Sequence, residues 1–135
     1  MEKKFGRIKN DILGKKYSLS IAYVTSKKSR ELNKKYRKKD KATNILSFAL
    51  REDLGELVLC PAVIRKEAKN FERTFEQFLG FLVIHGMLHL KGSVHSSRME
   101  RAEAKYDKKY FGGNRLGLFR DASRGRGVHQ RRKKS

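Results

Sequence analysis

Apolar residues recur along this chain in two periods, and the switches from one to the other mark out helices and strands in turn. Phe5, Ile8, Ile12 and Leu13 fall at helical spacing with lysine and arginine between them, which predicts a short amphipathic helix over residues 3–14. Leu19, Ile21 and Tyr23 alternate with small or polar residues, the signature of a half-buried strand over 18–24. Ser26 can cap a basic helix running to Arg37, with Leu32 and Tyr36 four apart on one face. Two apolar runs follow, Ile45 to Leu50 and Leu57 to Cys60, and the polar segment Arg51-Glu52-Asp53-Leu54-Gly55 between them makes a hairpin pattern.

The second half reads as helical. Pro61 fits a first helical turn, where its missing amide hydrogen is no loss, and Ile64, Ala68 and Phe71 mark an inward stripe. Over 74–91, Phe78, Leu82, His85 and His89 step by four, three and four, so both histidines continue the stripe and their rings should point inward. Gly86 inside that helix costs about 1 kcal/mol against alanine, and a close approach to the sheet is the expected reason for it. Ser97-Arg98-Met99-Glu100 has the form of a capping box opening a last helix that Gly112-Gly113 ends. From Gly112 to Ser135 five glycines and eight basic residues show neither period, the pattern of a tail disordered until it meets a partner. His129 lies in that tail without preorganised neighbours. Neither an internal repeat nor a Gly-rich phosphate loop is present, which argues against nucleoside-triphosphate chemistry.

With 135 residues the chain suits one compact domain. A lone Cys60 forms no internal disulfide, and no export signal marks the N-terminus, so the expected compartment is the cytoplasm. Phe78 to Leu90 is the most apolar stretch, far short of the roughly twenty residues that span a bilayer, and predicts a buried helix. Net charge is +20, and its distribution matters more than its size. Residues 1–41 hold 15 Lys and Arg against 4 acids, 42–111 hold 11 against 9, and 112–135 hold 8 against 1. A nearly neutral centre between two cationic ends attracts a polyanion, with nucleic acid the favoured partner and an anionic membrane the lesser alternative.

Three of the four histidines lie in that neutral centre, at His85, His89 and His95. Residues four apart on a helix share a face, so His85 and His89 can aim ring nitrogens at one point. Gly92 supplies a turn in the left-handed conformation, after which the chain can double back and bring His95 to the same point. Three imidazoles suit zinc and leave a position for water, although nickel, copper or iron could also take them. The spacing also matches the ligands and turn glycine of the metzincin protease motif H-E-x-x-H-x-x-G-x-x-H. There the glutamate after the first histidine is the general base; here it is Gly86, which accepts no proton, so peptide hydrolysis by that route is disfavoured.

The segment His85 to His95 resembles the H-G-x-L-H-L-x-G-x-D-H signature of the YbeY endoribonuclease family. Two further stretches agree in order and distance. Asn33 to Phe48 is similar to the family's N-x-x-Y-R-x-x-D-x-P-T-[DN]-V-L-S-F, and Leu54 to Cys60 to its L-G-D-[IL]-V-I-C, so the resemblance covers about residues 17–111. It implies an α+β fold, a small mixed sheet of three to four strands packed against about five helices. The family's first strand has no counterpart before residue 3, which would leave the sheet one strand fewer. Residues 1–111 would form the ribonuclease domain and 112–135 the basic tail.

The resemblance further implies one zinc ion held by His85, His89 and His95, and hydrolytic cutting of single-stranded RNA. Ribosomal RNA is the expected substrate, as in maturation of the 16S rRNA 3′ end and ribosome quality control, and the ribosome or its small subunit the expected partner, with no membrane involved. Arg37 occupies the arginine of the Y-R motif, where a guanidinium fork could hold the scissile phosphate. The family's aspartate before the third histidine is Val94 here, and its flanking prolines are Ala42 and Ala49. Glu56 is a candidate for the missing carboxylate, although a turn position is the commoner place for such a residue. Two rival functions remain at this point: a ribosome-associated RNA-binding protein with a structural metal site, motivated by Val94, and a zincin-like peptidase.

Overall fold

The computed structural model describes residues 2–92 and 96–112. Among them the order is α1 (Glu2–Ile12), β1 (Ser18–Tyr23), α2 (Ser26–Arg37), β2 (Ile45–Arg51), β3 (Leu54–Leu59), α3 (Pro61–Ala68), a single 3₁₀ turn (Lys69–Phe71), α4 (Phe75–Leu90) and α5 (Ser97–Phe111). Three strands form one mixed sheet in the order β1-β3-β2, with β1 parallel and β2 antiparallel to β3. The fold is therefore α+β, with the three-strand sheet at the lower end of the expected range. The tail from residue 113 lies outside the described residues.

Boundaries move where two residues could do the same job. Thr25, not Ser26, caps α2: the chain leaves β1 extended (φ −75°, ψ 167°) and the Thr25 hydroxyl accepts from the Lys28 amide at 3.1 Å. The expected capping box at Ser97 does not form either. Ser96 is the extended residue there, and its hydroxyl accepts from the Met99 amide at 3.2 Å, which leaves Ser97 and Glu100 inside the helix. A reciprocal box does open α4, where Thr74 and Gln77 exchange side-chain bonds with each other's amides. Strand β3 begins at Leu54, so the hairpin turn shrinks to Glu52 and Asp53.

Helix α2 buries a polar face. Ser29 and Asn33 are its buried residues, whereas Tyr36 is exposed. Ser29 Oγ donates to the Thr43 carbonyl at 2.8 Å and accepts from the Thr43 amide at 2.9 Å; Asn33 Nδ2 donates to the Lys41 carbonyl at 2.8 Å. These bonds hold the loop that leads into β2 along α2, up to one turn before Arg37.

Helix α4 runs through the middle of the molecule. Every residue from Phe78 to Leu88 is buried, so it is apolar all round rather than amphipathic, as a central core helix must be. Phe5 and Ile8 of α1, Ile64 of α3, Leu57 and Leu59 of β3 and Met99 of α5 complete the core around it. Burying each large side chain contributes about 1.5–3 kcal/mol. Gly86 lets α4 lie close to the sheet: a Cβ there would stand 2.7 Å from Leu57 Cδ2 and 2.9 Å from Ile45 Cδ1. No described helix is long and apolar enough to cross a membrane.

Candidate metal centre

The α4 register carries two histidines to the inner end of a cleft. His85 is 2 % exposed and His89, one turn later, is half-buried. Their Nε2 atoms stand 3.0 Å apart, with the rings nearly perpendicular at 80°. Two nitrogens bound to one tetrahedral zinc at about 2.0–2.1 Å lie about 3.3 Å from each other, so a small ring movement accommodates a shared ion.

The opposite side of the His85 ring decides which nitrogen is available. Nδ1 of His85 meets Oε2 of Glu103, a buried residue of α5. An ionised carboxylate only accepts, so Nδ1 carries the proton and donates it to Glu103, leaving the Nε2 lone pair directed at His89. A carboxylate behind a ligating histidine is the usual arrangement around bound zinc, where it fixes the tautomer and raises ligand basicity. The donor set thus fits zinc as far as two ligands go. Val94 and His95, and with it the expected third ligand, lie outside the described residues. Gly92 does adopt the left-handed turn expected of it, at φ 103°.

The cleft has a volume of about 410 Å³. Arg37 and Tyr36 from α2 and the run Ile45 to Ala49 of β2 wall it, with His85, His89 and Leu90 from α4 completing the lining. The structure thus brings Arg37 to the same cleft as the histidine pair. Glu56 goes elsewhere. Its strand neighbours Gly55 and Leu57 face α4, where added or existing atoms meet Leu90 and Gly86, and alternation turns Glu56 to the opposite face of the sheet. There it accepts from Ser20 Oγ at 3.5 Å.

Glu103 is the site residue that sequence reasoning overlooked. A signal was present: Met99, Glu103 and Asp107 step by four along α5 and are its buried residues, so two acids fall on the inward line of an amphipathic helix. The second acid has its own partner. Arg73 Nη2 donates to Asp107 Oδ1 at 2.9 Å, with both side chains almost completely buried. Burial pushes the Asp107 carboxyl above the usual 3.8; the Arg73 bond and charge oppose that rise, and the negative charge of Glu103 adds to it.

Fold and site together define a class: a small α+β domain whose central helix presents a carboxylate-backed histidine pair to an arginine-walled cleft. The family described as Endoribonuclease YbeY matches the chain over residues 3–111. The chain belongs to this family, whose name describes enzymes that cut RNA internally. The Endoribonuclease YbeY of Staphylococcus carnosus is 36% identical over 120 residues, 76% of this chain and 74% of that protein. Its namesake in Staphylococcus aureus strain JH9 is 37% identical over 99 residues, 63% of this chain and 64% of that protein. The chain thus spans between about two-thirds and three-quarters of these two relatives. The solution structure of TM1509 from Thermotoga maritima superposes with a TM-score of 0.63 at 31% identity, covering 93% of this chain and 89% of that one.

Proposed function

We propose that this chain is a zinc-dependent endoribonuclease that hydrolyses phosphodiester bonds in single-stranded parts of ribosomal RNA or its precursors. It would work in the cytoplasm at the ribosome or its small subunit, on tasks such as 16S rRNA 3′-end maturation. One observation supports this most: the His85–His89 pair, backed by Glu103, opens into the same cleft as Arg37.

His85, His89 and His95 would hold zinc, which when bound supplies Lewis-acid polarisation of a phosphate oxygen or of water. The chain's own groups do the rest. Glu103 keeps the proton of His85 on Nδ1 and so keeps Nε2 open toward the cleft. Arg37 offers two parallel donors to a phosphate and can stabilise the charge that builds on it during attack. The six basic residues of α2, set against Glu31 alone, draw the RNA backbone toward the cleft. The attacking group is water or the RNA's own 2′-hydroxyl, and a 2′,3′-cyclic phosphate product would identify the second.

A ribosome-associated RNA-binding protein with a structural metal is the second reading, favoured by Val94 in place of the family's aspartate. A peptidase is disfavoured by Gly86, where a protease base would stand and where even a Cβ would crowd Leu57 and Ile45. The test is metal content and single-stranded RNA cleavage of wild type and His89→Ala, before and after chelation. Bound zinc and cleavage should disappear together on chelation, and cleavage should return with zinc. Equal cleavage by wild type and His89→Ala would remove the enzymatic reading.

A further inference from the structure

Tyr36 stands out on α2 because it is 55 % exposed although it lines the cleft that holds the histidine pair. Its ring has two neighbours. Phe48 of β2 meets it with ring centroids 5.1 Å apart and planes at 70°, an edge-to-face arrangement that fixes the orientation of the ring without lying parallel on it. Lys35 Nζ lies over the ring, 5.2 Å from its centroid, on an exposed side chain that an incoming base would displace toward its own phosphate. Arg37 follows directly, and Lys34, Lys38 and Lys39 flank the pair in sequence. An exposed aromatic ring on the rim of an arginine-walled cleft, carried by a basic helix, has the two features that single-stranded nucleic acid binders combine: a π-face for an unstacked base and positive charge for its phosphates.

We propose that Tyr36 is a stacking platform that receives one nucleobase of a single-stranded RNA and thereby sets the adjacent phosphate beside Arg37 and the histidines. Phe48 is its brace. This deepens the endoribonuclease reading and rests on it. A paired base cannot reach the platform, since both of its faces are already stacked within the duplex, so the platform selects single strands.

The test compares wild type, Tyr36→Ala and Tyr36→Trp in binding and cleavage of short oligoadenosine and oligouridine. Purines stack better than pyrimidines, so wild type should bind oligoadenosine more tightly than oligouridine. Tyr36→Ala should weaken oligoadenosine binding about 5- to 150-fold, raise KM by a similar factor and flatten the base preference. Tyr36→Trp, which keeps a π-face, should keep affinity and preference. Unchanged KM in Tyr36→Ala, or a Trp variant as weak as the Ala variant, would overturn the platform. Wild type that neither binds nor cuts either oligonucleotide would take the endoribonuclease reading down with it, whereas cutting that is indifferent to Tyr36→Ala removes the platform alone.

Discussion

Glu103 and Asp107 lie one turn apart on the buried face of α5, and each meets a partner from the α4 side, His85 for Glu103 and Arg73 for Asp107. Arginine is charged at every pH the fold survives and carries only donors, so its pairing with Asp107 leaves no lone pair for a ligand. Imidazole has two nitrogens, and committing one to Glu103 leaves the other for use in the cleft. Arg73 also precedes Thr74, the residue that caps α4. The Arg73–Asp107 pair therefore fixes where α4 begins relative to α5, and the Glu103–His85 contact exploits that placement. Similar burial and closely related side chains serve a clamp in one case and a working group in the other, because the partner differs.

Breaking the clamp should have the largest effect. Asp107→Ala leaves Arg73 buried without its carboxylate and should cost about 3–5 kcal/mol of stability, read from urea unfolding, while RNA cleavage per folded molecule survives. Replacing both partners with Met and Leu should recover most of that loss. Glu103→Gln is next: a 10- to 100-fold loss of zinc affinity or cleavage is expected, with much less change in unfolding. If Asp107→Ala were the more damaging to chemistry, or Glu103→Gln to stability, the division of labour would be wrong.

The smallest effect concerns pH. Since burial raises the Asp107 carboxyl above 3.8 in the folded state, the native protein holds that proton more tightly than the unfolded chain. The corresponding stability is present below the unfolded value and is lost as pH rises through the folded one. Urea melts of wild type and Asp107→Asn across that window should show the wild type losing ground relative to the variant as pH rises. An opposite slope would mean that Arg73 outweighs burial.

Much of this layout was legible in the chain. The element order followed from apolar periodicity, and the histidine register from two residues four apart on one helix, because both are local properties. Arg37 rested on the family motif; the structure adds that it shares a cleft with His85 and His89. What escaped was set by geometry between elements. The caps fell one residue early at Thr25 and Ser96 because adjacent hydroxyl residues can each cap, and the backbone leaving the preceding segment selects between them. Glu103 escaped because its partner is eighteen residues away on another helix. Glu56 drew attention by motif, yet strand alternation turns it from the site, which becomes clear only once the face covered by α4 is known.

Gly80 gives this architecture a spacer of zero thickness. A Cβ at that position would sit 2.2 Å from Phe111 Cζ, at the far end of α5, and Lys4 holds the same region by donating to the Tyr110 carbonyl at 3.1 Å with its Nζ 4.8 Å over the Phe111 ring. The two helices run antiparallel, so the Glu103–His85 contact lies some two turns back along α5 from Phe111. One methyl group at residue 80 would have to push the Phe111 ring aside, and whatever part of that push Lys4 keeps the ring from absorbing is passed to the helix that carries Glu103.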